Sequence, residues 1–408
     1  MNRKNLISFA LFFLMLSEAS AFDFFGKEPV VRDCKAYGPG YFYIPGTEIC
    51  MHIFGEVSSE LRGGGPVEAK QYEDLNHKNR HTLGWITDAK IGSSTAMETD
   101  FGTLRTVLEL ESNWTGGAEL GNAGSDSDMK GELKAGYIQL GGLQFGLDAS
   151  AFQTWTNGFG NFAYDDLLTP LSSMRTNALT YVFSVKNGFS ALLSLAQGAN
   201  YQASSHGFRF NDQGKEIERE LRQQIDSYIP YIVVGAKYGQ DWGGFSSVAA
   251  YDSYYSEWAG KVRLDGKIND QVALWVMAGY KSMDDYYAED KSYGHRELHP
   301  GFDRTGIYRQ FNSIYGDWGG HWALWAGSQY VFTPKSTLDF QISLEEAKTF
   351  VTSASLSHKL SPSLELSSGL SYISWGNNYG YTYEDHDVIN SLYGKDAVRG
   401  MIKLIHSF

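Results

Sequence analysis

Apolar and polar residues alternate with a period of two along several stretches of this chain. Residues 337–346 show it most clearly, because apolar residues occupy positions 338, 340, 342 and 344 and polar residues lie between them. Residues 364–375 repeat the pattern. Successive side chains of a strand point to opposite faces, whereas every second residue of a helix spreads around its surface. The alternation therefore predicts strands with one apolar face, and it excludes the continuously apolar strands of a doubly covered parallel sheet.

Connections between the predicted strands alternate in length. The short ones contain Gly, Asn or Pro, which favour tight turns, and they lie at residues 141–142, 187–188, 267–270, 333–336 and 361–363. The long ones lie near residues 62–81, 115–130, 149–174, 202–226, 283–319 and 376–396. Short turns at one end and long loops at the other are typical of transmembrane β-barrels.

With both chain ends on the side of the short turns, the strands number sixteen, and bacterial single-chain barrels have even numbers. They are predicted at residues 49–61, 83–97, 102–114, 131–141, 142–148, 175–186, 189–201, 227–239, 244–255, 256–267, 271–282, 321–332, 337–346, 349–360, 364–375 and 397–408. The expected fold is all-β, a 16-stranded antiparallel transmembrane β-barrel with short periplasmic turns and long outer loops. Barrels of about this size leave an aqueous channel, so the strand count predicts conduction.

The first 21 residues have the features of a secretory signal peptide. Arg3 and Lys4 form a basic start, an apolar run follows over residues 7–16, and Ala19 and Ala21 flank a serine in a small-residue cleavage site. An N-terminal membrane anchor is the alternative, but it needs about 20 apolar residues. We expect cleavage after Ala21 and a mature barrel domain at residues 22–408.

Composition narrows the possible partners and the domain organisation. The formal net charge of −13 argues against nucleic-acid binding, which requires a basic surface. Aromatic residues make up 15% of the chain, and no linker or shift in composition divides it. Low mean hydropathy is compatible with a membrane barrel, because only alternate strand residues face lipid.

Two features concern the ends of the predicted barrel. Cys34 and Cys50 are the two cysteines, and export to an oxidising compartment favours a disulfide between them, with two free thiols as the alternative. Their spacing does not match a zinc site. At the other end, Ile402, Leu404 and His406 share a face with Phe408, and this final aromatic residue resembles the assembly signal of bacterial outer-membrane proteins.

Residues 37–50, YGPGYFYIPGTEIC, resemble the opening signature of the general-diffusion porins of rhizobial-group alphaproteobacteria, and the two cysteines lie where that family has its pair. The similarity continues downstream in patches at residues 175–181, 187–191, 257–265, 315–320 and 348–350. The resemblance covers nearly the whole mature chain. It implies a passive outer-membrane pore for small hydrophilic solutes and ions, and a homotrimer in outer-membrane lipid.

In this family the third outer loop folds into the barrel and narrows it, and by position that loop is residues 149–174 here. Its acidic candidates are Asp148, Asp165 and Asp166. Facing it, the resemblance implies basic wall residues, for which alternation or loop position indicates Arg105, Lys134, Arg175, Lys261 and Arg263. Acid on one side and base on the other would create a transverse field, although each residue could equally be an ordinary solvated lumen charge. The chain departs from the family at Leu147, where relatives have a basic residue.

Several alternatives stay open beside general diffusion. A solute-specific channel, a surface adhesin or receptor acting through its long loops, and an outer-membrane hydrolase are the other classes, but no Ser-His pair suitable for hydrolysis is recognisable. No motif indicates catalysis, a cofactor or a metal: the histidine pairs 77/81 and 295/299 lie in predicted loops and lack the metalloprotease pattern. Aromatic residues at strand ends are candidates for interface girdles or for loop packing, namely Trp155, Trp242, Trp258, Trp318, Tyr330 and Trp375.

Overall fold

The computed structural model describes residues 34–64, 83–117, 130–157, 174–198, 208–210, 216–218, 228–283, 286–289, 307–310, 315–316, 318–374, 380–381, 390–391 and 396–408. Strands dominate these residues, beside a 3-10 turn at Cys34–Tyr37 and a short helix, α1, at Ala151–Thr154. None of the helices in these ranges is long and apolar enough to cross a bilayer.

One large sheet organises the described part of the chain. Each long strand pairs antiparallel with the next, and β1 pairs with β16, so sixteen strands close into a barrel. The strands are β1 Cys50–Gly64, β2 Leu83–Thr99, β3 Gly102–Gly117, β4 Lys130–Leu140, β5 Leu143–Ala149, β6 Arg175–Ser184, β7 Phe189–Ala196, β8 Tyr231–Gln240, β9 Gly243–Asp252, β10 Glu257–Lys267, β11 Val272–Lys281, β12 Trp322–Thr333, β13 Ser336–Glu345, β14 Phe350–Lys359, β15 Leu364–Ser374 and β16 Asp396–Ser407.

Shorter strands lie in the segments outside the barrel wall. The two-residue strand Phe42–Tyr43 pairs with the start of β1. A four-stranded sheet joins the fourth and sixth outer loops, and its members are Phe208–Phe210, Glu216–Glu218, Tyr286–Glu289 and Ile307–Gln310. Gly380–Tyr381 and Asn390–Ser391 form a two-stranded ribbon in the eighth outer loop. The outer loops thus contain sheet structure of their own.

The barrel is apolar outside and polar inside, as the alternation predicts. On β13, Phe340 and Ile342 are exposed on the outer face, whereas Asp339, Gln341 and Glu345 are buried on the inner face. A charged side chain on the outer face would cost about 2–4 kcal/mol at the bilayer midplane, which explains why the charges point inward.

All sixteen predicted strands are present, and the largest boundary difference falls around β7 and β8. The prediction extends the seventh strand to residue 201, but β7 ends at Ala196, whose partners are Ala178 on β6 and Tyr231 on β8. Tyr231 is the first residue of β8 because Pro230 precedes it and has no N–H to donate to a ladder. β8 therefore offers no partner for residues beyond Ala196, although the N–H of Gln197 still donates to the carbonyl of Asn177 on β6 (2.9 Å).

The first and the last barrel strand meet where the barrel closes. The backbone N–H of Gly55 donates to the carbonyl of Phe408 (2.9 Å), and the N–H of Phe408 donates to the carbonyl of Gly55 (3.0 Å). The Phe408 ring occupies the space that a side chain at position 55 would fill. Ile402 and Leu404 are exposed on the outer face of β16, which confirms the alternation predicted for the C-terminus.

Candidate functional site: the channel and its lining

The third outer loop begins by turning into the barrel. After β5, Ser150 donates its backbone N–H to the carbonyl of Met174 (2.9 Å), which joins the two ends of the loop. Helix α1 follows directly and packs against β8 and β9, three and four strands further round the barrel from β5. Phe152 is only 2% exposed. The described start of this loop, residues 150–157, therefore lies inside the barrel.

Close packing holds this loop start against the wall. The indole of Trp155 lies over Gly235 on β8, where an added Cβ would be 2.5 Å from Trp155 Cδ1. The Nζ of Lys237, on the same face of β8, lies 4.4 Å from the centre of the Trp155 ring. A cation over an indole face is attractive. Gly235 leaves space for the indole and Lys237 attracts it, and together they hold Trp155 in this position.

The sixth outer loop also enters the barrel. The Tyr315 ring lies 5.1 Å from Phe152 and 6.0 Å from Tyr231, measured between ring centres. Burial raises the pKa of the Tyr315 phenol, with the Asp252 carboxylate adding to the shift, so this hydroxyl stays protonated at physiological pH. Lys281 Nζ donates to the carbonyl of Trp318 (2.7 Å). Two loops therefore share one aromatic contact inside the barrel.

These contacts cover one side of the interior, the inner faces of β8–β12, which we call the packed wall. Its buried charges include Arg263, whose Nε and Nη2 donate three hydrogen bonds to Asp265 at 2.7–3.0 Å. The Arg263 guanidinium also lies 4.3 Å from the Trp275 ring centre. Lys261 lies on the same face, with Nζ 4.7 Å from the Phe152 ring centre. Arg263 has no exposed side-chain surface, so on this wall charge is part of the packing.

The inner faces of β16 and β1–β4 form a second side, which we call the ladder wall. Lys90, Glu111 and Glu132 are in register on β2, β3 and β4 and therefore share one face. That face is the inner one, because the alternating neighbours Leu110 and Leu133 are exposed outside. Side chains of opposite charge alternate across these strands. Lys90 contacts Glu111, Glu111 contacts Lys134, Lys134 contacts Glu132, and Glu132 contacts Arg175.

A β-bulge places Lys134 in this ladder. The register between β3 and β4 shifts between Glu109 and Leu110, which leaves Lys134 as the extra residue. Its Nζ lies 2.9 Å from Glu111 and 3.6 Å from Glu132. About a quarter of its side chain (24%) stays exposed to the lumen. Since exposed ion pairs are worth about 0–1 kcal/mol, these charges remain available to permeating solutes.

A second group of ladder-wall charges lies on β1 and β16. Arg62 and Glu60 form an ion pair within β1, and Lys403 Nζ of β16 lies 4.0 Å from Glu60. At the other end of β3, Arg105 lies on the inner face with its Cζ 5.9 Å from the Tyr41 ring centre. The ladder wall therefore carries both signs of charge along its whole height.

The basic residues predicted from sequence divide between these two walls. Arg105 and Lys134 lie on the ladder wall, and Lys261 and Arg263 lie on the packed wall. Arg175 differs from the expected inward direction. It pairs with Ala149, which shares the outer face of β5 with the exposed Phe145, and from there its guanidinium reaches Glu132 at the rim (2.6 Å). At the first residue of β6, next to a long loop, alternation is a weak guide to direction.

The acidic candidates have different outcomes. Asp148 lies on the inner face of β5, opposite Thr176, and accepts a hydrogen bond from Gln144 Nε2 (2.7 Å). Asp165 and Asp166 lie outside the described residues. Their role in a constriction therefore stays a prediction.

The aromatic candidates also separate. Trp242, Trp258 and Tyr330 are exposed at strand ends, as girdle residues are. For Trp155 and Trp318 the girdle interpretation is wrong, because both lie inside the barrel in loop contacts. Trp375 lies outside the described residues, and so do the histidine pairs. Among the described residues no group of three or more His, Cys, Asp or Glu could hold a metal ion.

Sequence reasoning missed the acidic partners and the sixth loop. Glu60, Glu111 and Glu132 could have been found from their inward positions in the alternation. Tyr315 and Trp318 gave a weaker signal, which was a glycine-rich aromatic patch inside a long loop. The predicted disulfide between Cys34 and Cys50 is present.

A closed sixteen-stranded barrel with a charged interior and an apolar exterior is the architecture of an outer-membrane channel. The family model described as "Porin subfamily" matches residues 26–401. The chain belongs to this porin family.

Curated relatives agree with that assignment, and solved structures share the fold. Porin Omp2b of Brucella suis is 35% identical over 383 residues, which cover 93% of this chain and 90% of that protein. Porin Omp2b of Brucella neotomae is 35% identical over 361 residues, or 86% of this chain and 85% of that protein. The fold is similar to the outer-membrane channel DcaP of Acinetobacter baumannii, with TM-score 0.52 and 13% identity over 88% of this chain and 97% of that one. It is also similar to the anion-selective porin of Comamonas acidovorans, with TM-score 0.51 and 13% identity over 88% of this chain and 100% of that one.

Proposed function

We propose that this porin is a general-diffusion pore for small hydrophilic solutes and ions, without catalysis or cofactor. The observation that supports this proposal is the closed sixteen-stranded barrel, whose inner face has partly exposed charges of both signs. Because the charges along the lumen wall are paired with one another, each of them binds a solute only weakly. Conduction requires such weak binding, since a solute must be able to leave.

The third loop narrows the channel in this proposal. Its described start, residues 150–157, lies against the packed wall, and the rest of the loop contains Asp165 and Asp166. These carboxylates and Asp148 would form the acidic side of the constriction, and Lys134 the basic side. The resulting transverse field orders water and favours polar solutes over apolar ones.

Export requires the N-terminal segment. Residues 1–21 act as a cleaved signal peptide, and the mature chain from residue 22 inserts into the outer membrane with its short turns in the periplasm. Mass spectrometry of the purified protein checks this, since a mature N-terminus at Phe22 is expected and an intact Met1 would contradict it.

The outer face of β1 and β2 supports a homotrimer. Trp85 Nε1 donates to Ser59 Oγ (2.7 Å), and the Ser59 and Thr87 hydroxyls lie 3.4 Å apart. This is the outer face, because Ser59 pairs with the exposed Leu404. Polar groups facing lipid are costly, so a neighbouring subunit is the favoured cover. The number three comes from the family resemblance, and native mass spectrometry in detergent should give the trimer mass.

The decisive experiment is single-channel recording of refolded protein in a planar bilayer with a salt gradient. Ohmic conductance in steps of three, with weak ion selectivity and no saturation by sugars, is expected. Saturation by one solute would favour a solute-specific channel instead. If folded barrels gave no conductance, the diffusion proposal would be wrong and a receptor or adhesin acting through the outer loops would replace it.

A further inference from the structure

The segment before the barrel, residues 34–49, is tightly fixed to the start of β1. The disulfide joins Cys34 to Cys50, with their Cα atoms 5.6 Å apart. Phe42–Tyr43 pairs with β1, and the N–H of Ile44 donates to the carbonyl of Ile49 (3.0 Å). This N-terminal hairpin is therefore covalently and backbone-anchored at the periplasmic end of the barrel.

The hairpin lies on the lumen side of the wall. The hydroxyls of Tyr41 and Ser94 lie 2.6 Å apart, in hydrogen-bonding distance. Ser94 is on the inner face of β2, because it lies three residues from Ile91, which is exposed on the outer face, so the two side chains point to opposite faces. The Tyr41 ring also lies 5.3 Å from the His52 ring, centre to centre. Tyr41 thus covers the inner surface of β1 and β2.

A glycine permits this close approach. Gly40 has a φ of +84°, and a Cβ there would lie 2.7 Å from His52 Cδ2. Any larger residue would collide with the His52 ring and would be strained at this φ. The neighbouring Tyr37 is held as well, since its ring lies 6.0 Å from that of Tyr41, and burial together with the Glu98 carboxylate raises its pKa.

Arg105 completes the group. It is on the inner face of β3, where it pairs with Ala96 and Gln139, and its Cζ lies 5.9 Å from the Tyr41 ring centre. Arg105 is half-buried, so the guanidinium keeps contact with the lumen. The nearest acidic residue on this inner face is Glu98, which pairs with Thr103 close to the periplasmic turn and accepts a hydrogen bond from Thr103 Oγ1 (2.8 Å). Glu109 and Asp148 are also on the inner face but lie further from the periplasmic turns.

We propose that residues 34–49 form a second narrowing of the channel, at its periplasmic mouth, where Tyr41 and Arg105 make a selectivity site for small anions. It is separate from the third loop, which packs on the packed wall further up the barrel. The proposal rests on the diffusion function, because a narrowing matters only in a conducting pore.

The test uses Tyr41→Cys in the disulfide-bonded chain, recorded in single channels. Cationic and anionic methanethiosulfonates of similar size are added on the periplasmic side, and mass spectrometry verifies the reaction. Both should lower conductance, and the reversal potential should move in opposite directions. Thr106→Cys, on the outer face of β3 beside Arg105, is the matched control and should change neither.

Arg105→Gln provides a second measurement, and a shift of the reversal potential toward cation preference is expected. The double variant Cys34→Ala/Cys50→Ala should raise conductance, because the hairpin loses its covalent anchor. Modified Tyr41→Cys channels with unchanged conductance and reversal potential would overturn the proposal. Unmodified channels show in the same recordings whether the pore conducts at all. Failure of the proposed second narrowing is therefore distinguishable from failure of the diffusion function.

Discussion

The packed wall and the ladder wall carry similar charged groups in opposite surroundings. On the packed wall, Arg263 has no exposed side-chain surface and Asp265 has 7%. On the ladder wall, Lys134 keeps 24% and Glu132 keeps 49% of the side chain exposed. The chemistry of the pairs is alike, so their difference in burial decides what each contributes.

The difference separates structural charge from functional charge. Removing one partner of a buried pair costs about 3–5 kcal/mol, whereas an exposed pair is worth about 0–1 kcal/mol. Charges on the packed wall therefore hold the loops and strands in place. The charges around Lys134 and Glu132 on the ladder wall contribute little to folding and are exposed to whatever passes through the lumen, whereas Glu60 on the same wall is buried.

The largest expected effect is on the buried pair. Asp265→Ala removes the carboxylate that accepts three hydrogen bonds from Arg263, and it should lower the free energy of unfolding by about 3–5 kcal/mol. Urea unfolding in lipid vesicles measures this. Glu132→Ala removes an exposed carboxylate and should cost less than about 1 kcal/mol. Equal losses in the two variants would break the distinction between the walls.

The next effect concerns the loop contact on the packed wall. Gly235→Val places methyl groups where Trp155 lies, so it should cost about 1–3 kcal/mol by overpacking and lower conductance by pushing the loop start into the lumen. Gly239→Val is the matched control, because it is on the same face of β8 with nothing within 4 Å of an added Cβ. Unchanged conductance in Gly235→Val would separate the loop start from the narrowing.

On the ladder wall the expected effect is on ion preference. Lys134→Gln removes a positive charge and should move the reversal potential toward cation preference, whereas Glu111→Gln should move it toward anion preference. Single-channel recording under a salt gradient at low ionic strength measures both, because screening weakens the effect at high salt. Shifts of the same sign would contradict a role for these side chains in the lumen.

The smallest effect sharpens the comparison. A double-mutant cycle between Lys134 and Glu111 should give a coupling energy of about 0.2–1 kcal/mol, which falls as salt is added. The same cycle between Arg263 and Asp265 should give a larger coupling with little salt dependence. A coupling above about 2 kcal/mol for the first pair would show that the ladder stabilises the barrel.

The sequence allowed the strands to be predicted because a membrane barrel requires alternation on every strand. The predicted first and last residues of the strands were nearly correct even for short strands such as β5, because turn residues mark one end of each strand. They failed where the partner strand decides the end, as at Ala196. The disulfide was predicted from the expected compartment, and the structure contains it.

The site was less predictable, because alternation gives direction but not surroundings. It placed Lys261 and Arg263 inside the barrel, but it could not indicate that Phe152 and Trp275 cover them. Nor could it reveal the bulge at Lys134, since a bulge depends on the register with β3. Contacts between distant loops, such as Phe152 with Tyr315, have no local signal at all.

The seam between β1 and β16 has a consequence for how the protein is made. The ladder from Glu56–Ser407 to Gly64–Arg399 joins the first barrel strand to the last, so no cylinder exists until the final residues have been synthesised and delivered. Contacts between such distant parts of a chain make folding slow. Every unfinished chain exposes two unpaired strand edges to aggregation or proteolysis. A chain shortened to lack Phe408 would lose both backbone hydrogen bonds to Gly55 at this seam.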